Sequence, residues 1–86
     1  MFIVYVLYSE GFKKTYTGMT QDLDRRLREH NETSIIGFTV KYRPWILVRQ
    51  ESFVAKKEAL KREKFLKSGQ GRELIKEWVK PFLSNG

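Results

Sequence analysis

The chain has 86 residues, with 17 Lys or Arg against 10 Asp or Glu, a formal net charge of +7 and no cysteine. Its length predicts one domain over residues 1–86, and 41% hydrophobic with 14% aromatic content suffices for a small core, which excludes general disorder. Without cysteine, and with one histidine, disulfides, thiolate zinc sites, thiol nucleophiles and His-cluster metal sites are excluded, so any metal would be a hard cation on oxygen ligands, such as Mg2+ or Mn2+.

Residues 2–8 are apolar at nearly every position and rich in Val, Ile and Tyr, the pattern of a strand buried on both faces. They lack the basic start and small-residue cleavage site of a signal peptide, and no run is long enough to span a bilayer; the expectation is a cytoplasmic protein. Ser9 to Phe12 supply a turn, and residues 13–19 read as a partner strand. A turn centred on Glu10-Gly11 would set Tyr5 directly opposite Tyr16.

Thr20 reads as the N-cap of a helix that runs to about Asn31, with Asp22 and Asp24 in its first turn and Asp22, Arg26 and His30 on one stripe. Residues 32–42 read as irregular. Pro44 precedes a third strand at residues 46–48, Ser52 reads as the cap of a helix over about 53–67, and Ser68-Gly69 would close it. A last helix near 71–80 turns Leu74, Ile75, Trp78 and Val79 to the core, and Pro81 ends it. The order ββαβαα predicts an α+β fold, a small three-stranded antiparallel sheet flanked by helices.

Walker loops, zinc spacings, a Ser-His-Asp set and dinucleotide turns are all missing, so the chemistry rests on Tyr, Arg, one His and a few carboxylates. Glu63 shares a helix side with Ala59, Leu60 and Leu66, which fits either a ligand or acid or a salt bridge to Lys67 or Arg62. Arg26 is turned toward the sheet more than Arg25, although most arginines on such a helix are solvated. His30 fits a helix C-terminal cation or a proton carrier, and Tyr5 and Tyr16 fit plain cross-strand packing.

Five elements in order resemble the GIY-YIG nuclease superfamily over residues 2 to about 75: Ile3-Val4-Tyr5, Tyr16-Thr17-Gly18, Asp22-Leu23 with Arg26-Leu27, His30-Asn31, and Ala59 to Lys64 around Glu63. The chain looks most similar to small stand-alone members, related to the nuclease domain of the bacterial excision-repair incision subunit. Ile3 stands where the first motif has glycine, and Thr17 where the second has isoleucine. The resemblance implies that Tyr5 and Tyr16 flank the scissile phosphate and that Arg26 stabilises its developing charge. It implies that His30 carries a proton or contacts phosphate, and that Glu63 is the single protein ligand of one Mg2+ or Mn2+. In this reading Tyr5, or alternatively Tyr16, takes the proton of the attacking water, with its pKa lowered by Arg26 and the cation.

The implied activity is metal-dependent hydrolysis of DNA, structure-selective or weakly sequence-specific, in repair or recombination. The alternatives are a non-catalytic nucleic-acid-binding module and a protein-interaction domain whose basic face meets an acidic partner. Lys41, Arg43, Lys61, Arg62, Lys64, Lys67 and Arg72 are the candidates for phosphate contact. Residues 51–86 hold nine Lys or Arg against five Asp or Glu, so most of the excess charge lies around Glu63.

Overall fold

The computed structural model describes residues 1–83; residues 84–86, the end of the expected domain, lie outside the described residues. Its elements are β1 (Phe2–Ser9), β2 (Lys14–Thr20), α1 (Leu23–Arg28), a π-helical turn (Glu29–Thr33), α2 (Phe38–Lys41), β3 (Ile46–Phe53), α3 (Lys56–Leu66), α4 (Gly69–Val79) and a 3-10 turn (Lys80–Phe82). The strands form the expected antiparallel sheet in the order β2-β1-β3, and the fold is α+β.

The apolar run of β1 follows from its place at the centre of this sheet. Val4, Val6 and Tyr8 face α3 and α4, where they pack with Ala59, Leu66, Ile75 and Val79. Tyr5 and Leu7 face the opposite way and pack with Trp45, Tyr16, Leu23, Leu27, Tyr42 and Leu47. A strand with an apolar layer on each side has no position for a polar residue to reach water, so alternation is lost. Leu74 and Trp78 lie against the first layer, as the helical spacing predicts.

The hairpin differs from expectation in register. Tyr5 pairs with Gly18, and Tyr16 pairs with Leu7. The reason is a four-residue turn, Glu10 to Lys13, in which Lys13 takes a positive φ of 57°, in place of a two-residue turn on Glu10-Gly11. The parity is kept, so both tyrosines still face the same side of the sheet.

Three caps are also reassigned. Asp22, in extended backbone, caps α1 by accepting the Arg25 N–H at 3.1 Å, while the Thr20 hydroxyl accepts the Asp22 N–H at 3.1 Å. The third strand continues through the polar stretch Arg49-Gln50-Glu51 because it is an edge strand with a solvated side, which makes Ser52 a strand residue opposite Ile3. Helix α3 therefore starts only after Ala55. Ser68 caps α4 by accepting the Gly71 N–H, so Gly69 opens a helix where closure of the preceding one was expected.

The α3–α4 corner leaves no space at Gly71. A Cβ there would lie 2.1 Å from the Phe65 carbonyl oxygen and 2.4 Å from the Leu66 Cα, both backbone atoms that cannot rotate away. Gly71→Ala should lower unfolding stability by roughly 3 kcal/mol, read as a lower urea midpoint at unchanged slope. An unchanged midpoint would show that the corner opens freely.

Candidate active site

Gly18 is what lets the two motif tyrosines meet. Having no side chain, it leaves the ring of Tyr5 free to lie across the neighbouring strand; an added Cβ would sit 2.6 Å from the Tyr5 hydroxyl oxygen and 3.0 Å from a Tyr16 ring carbon. The Tyr5 and Tyr16 rings are consequently 6.2 Å apart between centroids, as diagonal neighbours on one face.

His30 completes the cluster. Its ring centroid lies 5.8 Å from that of Tyr5 and 4.9 Å from that of Tyr16, and it is only 3% exposed. Nε2 is 2.8 Å from the Tyr5 hydroxyl and Nδ1 is 2.9 Å from the Thr39 hydroxyl. The π-helical turn puts it there: Ser34 N–H bonds to the Glu29 carbonyl five residues back, at 3.0 Å. Arg43 then donates to the carbonyls of Glu29 (3.0 Å), His30 (2.5 Å) and Ser34 (2.6 Å). Asn31 bonds both backbone polar groups of Trp45, and the Trp45 indole donates to the Thr39 carbonyl at 2.7 Å. The His30 ring is thus fixed at both nitrogens and from behind.

Arg26 comes from the turn of α1 before His30. Its Nη1 donates to Glu29 Oε1 at 2.9 Å, and its guanidinium also bears on the hydroxyls of Tyr5 and Tyr16. Burial pushes the Tyr5 phenol up to about 12, with Arg26 acting against that shift. The expected lowering of Tyr5 by Arg26 is therefore outweighed in the free protein. Burial, reinforced by the Arg26 charge, holds His30 below its ordinary 6.5, and Arg26 holds Glu29 below the usual carboxylate range. At neutral pH the cluster consists of a neutral phenol, a neutral imidazole and a guanidinium.

Glu63 sits on α3 with its side chain 19% exposed and Oε2 2.9 Å from Lys67 Nζ. Of the two sequence alternatives the structure shows the salt bridge, made to Lys67, on a side chain that is turned inward. Its negative charge reaches Tyr5 and adds to the rise of that phenol. Among the described residues no three His, Asp or Glu gather as a metal-ligand group. An oxygen donor such as the Glu63 carboxylate is of the kind that suits a hard cation such as Mg2+ or Mn2+.

Two of the basic candidates are already engaged inside the fold. Arg43 is the clamp on the π-helical turn, and Arg62 makes a two-pronged pair with Glu51 at 2.7 and 3.1 Å. Both guanidinium groups satisfy acceptors inside the fold, an engagement that a helical-face pattern does not reveal. Lys67 holds Glu63, whereas Lys41, Lys61, Lys64 and Arg72 are exposed. Sequence reasoning missed Glu29, whose i+3 spacing from Arg26 was legible, and Thr39, for which no local signal exists.

Titration of the tyrosines by NMR should give Tyr5 a midpoint near 12, moved higher still by Arg26→Gln. His30 has its folded pKa below its unfolded one, so its contribution to stability is complete above pH 6.5 and lost as pH falls through the folded value. His30→Gln should flatten the fall in stability just below pH 6.5 and leave the separate carboxylate-driven loss below pH 4.5, to which Glu29 and Glu51 contribute. An unshifted Tyr5 would contradict this electrostatic picture.

Known proteins carry the same arrangement of sequence. The profile of the GIY-YIG catalytic domain matches residues 1–76. A UPF0213 protein of Staphylococcus saprophyticus is 39% identical over 61 residues, covering 71% of this chain and 74% of that protein. A UPF0213 protein of Staphylococcus aureus is 39% identical over 67 residues, covering 78% and 79%. The solution NMR structure of the UPF0213 protein BH0048 from Bacillus halodurans superposes with a TM-score of 0.53 at 30% identity, covering 90% of this chain and 84% of that one. With the profile covering residues 1–76 of 86, the chain belongs to the GIY-YIG family.

Proposed function

We propose that residues 1–86 form an endonuclease domain that hydrolyses phosphodiester bonds in DNA with one Mg2+ or Mn2+, with structure-selective or weak sequence preference, in repair or recombination. The observation that carries this reading is the meeting of Tyr5, Tyr16, His30 and Arg26 around one phenolic hydroxyl, in a chain of this family.

Tyr5 is a poor base by itself, because its phenol is neutral far above physiological pH. His30 resolves this. In this mechanism the hydroxyl of Tyr5 donates to the lone pair of Nε2, 2.8 Å away, which assigns the ring proton to Nδ1, within bonding distance of the Thr39 hydroxyl. As water attacks phosphorus, Tyr5 accepts the water proton while its own proton passes to Nε2, leaving a neutral phenol and an imidazolium. The low pKa of His30 keeps the acceptor free at neutral pH. Arg26 meets the charge that develops on the non-bridging phosphate oxygens, exchanging its contact with Glu29 for one with phosphate. Glu63 would hold the cation, which supplies charge neutralisation at the leaving oxygen. Lys41, Lys61 and Lys64 supply salt-sensitive attraction to the phosphate backbone.

Purified protein should nick branched DNA and DNA containing single-stranded segments when Mg2+ or Mn2+ is present. Tyr5→Phe, Arg26→Ala and Glu63→Ala should each slow single-turnover nicking by about 100-fold or more, with circular dichroism like that of wild type and a lower melting temperature only for Tyr5→Phe, which leaves Nε2 of His30 unpaired. Gly18→Ala should slow nicking by displacing Tyr5, and should also lower the melting temperature, because the added Cβ overlaps the buried phenol. Wild-type cleavage by Glu63→Ala would overturn the metal assignment. Binding without product across both metals and several substrates would favour the non-catalytic module instead.

A further inference from the structure

A groove of about 880 Å³ runs between β2 and α4, on the side of the sheet away from the Tyr5–His30 cluster. Its floor is aliphatic, formed by Leu66, Ile75, Val79 and Leu83. Its rim carries Lys13, Lys14, Lys67, Arg72, Lys76 and Lys80, and no carboxylate lines it among the described residues. Five consecutive residues, 13–17, contribute to one wall, and the last four of them belong to β2. Side chains alternate between faces along a strand, so a wall that takes every residue in turn includes the strand's outer edge. That edge has no strand partner among the described residues, since β2 is the end of the sheet. Tyr8, which also lines the groove, is 3% exposed and its hydroxyl has no hydrogen-bond partner among the described residues.

We propose that this groove binds an acidic, aliphatic segment of a partner protein, which adds to β2 as a fourth strand. A peptide strand pairs its backbone with the open edge, presses alternate apolar side chains onto the floor and presents the intervening carboxylates to the lysine rim. The part of the wall in β2, residues 14–17, spans about 13 Å and Arg72 to Val79 about 11 Å along α4, which suits about four residues of extended chain. A peptide carbonyl also offers the Tyr8 hydroxyl the acceptor it lacks. Charge decides against self-pairing: the lysines that repel a second copy of this basic edge attract an acidic strand. The floor decides against nucleic acid as occupant, because bases need exposed rings to stack upon. Tyr8 is buried, and Tyr16 is packed against His30 on the other face. The groove therefore gives a small domain a means of recruitment that is separate from its candidate active site.

The test uses the 15N-labelled full chain with three probes: a short peptide of alternating Asp and Val, the same peptide with Lys for Asp, and short oligothymidine. The Asp-Val peptide should shift the amides of residues 13–17 and of α4, and slow hydrogen exchange in β2. The double variant Arg72→Glu with Lys76→Glu, both at exposed positions, should weaken it about tenfold or more. No shift of these amides at about 1 mM Asp-Val peptide overturns the proposal. So does equal binding of the Lys peptide, or occupation of the groove by oligothymidine in its place. No readout depends on cleavage, so the result stands apart from the nuclease reading.

Discussion

The hydroxyl of Tyr5 is buried in the middle of a three-stranded sheet, where it has to find a partner inside the protein. It finds Nε2 of His30, and much of the surrounding structure serves that one hydrogen bond of 2.8 Å. Gly18 clears space for the phenol, the π-helical turn brings the imidazole inward, and Arg43 satisfies the carbonyls that such a widened turn leaves over. Thr39 takes the second ring nitrogen, and Trp45 holds Thr39 by its backbone. Each of these groups is polar and largely removed from water, so a fault in one leaves an unpaired atom in another.

Burial sets the chemistry as well as the architecture. It raises Tyr5 and lowers His30, which moves both away from their charged forms at neutral pH. A phenol that stays protonated at neutral pH and an imidazole that stays uncharged thus sit within hydrogen-bond distance of each other. Arg26 opposes burial at Tyr5 and reinforces it at His30, since a positive charge favours phenolate and disfavours imidazolium. The guanidinium is itself held by Glu29 until a stronger anion competes for it.

Much of this was legible in the residues, and the limits have physical causes. The unbroken apolar run of β1 announced a central strand, and the spacing of Leu74, Ile75, Trp78 and Val79 announced the core face of α4. Tyr5 and Tyr16 were read as neighbours on one face of the hairpin and do lie on one face, yet the residue opposite Tyr5 is Gly18, two positions from the expected Tyr16. Register depends on turn length, and nothing local distinguishes a four-residue turn from a two-residue one at Glu10-Gly11. Arg43 and Arg62 read as solvent-facing cations because their acceptors, a carbonyl cluster and Glu51, are distant in sequence. Thr39 was invisible for the same reason. Pairwise contacts of low sequence separation can be read from spacing; those formed by folding cannot.

The central claim is that Tyr5 gives up its proton to His30 as it accepts one from water. The most direct measurement is the pH dependence of single-turnover DNA nicking by wild type and by His30→Gln. Wild type should show an acidic limb with its midpoint below pH 6.5, set by His30, and the variant should lose that limb along with most of its rate. The same acidic limb and similar rates in both proteins would contradict the relay.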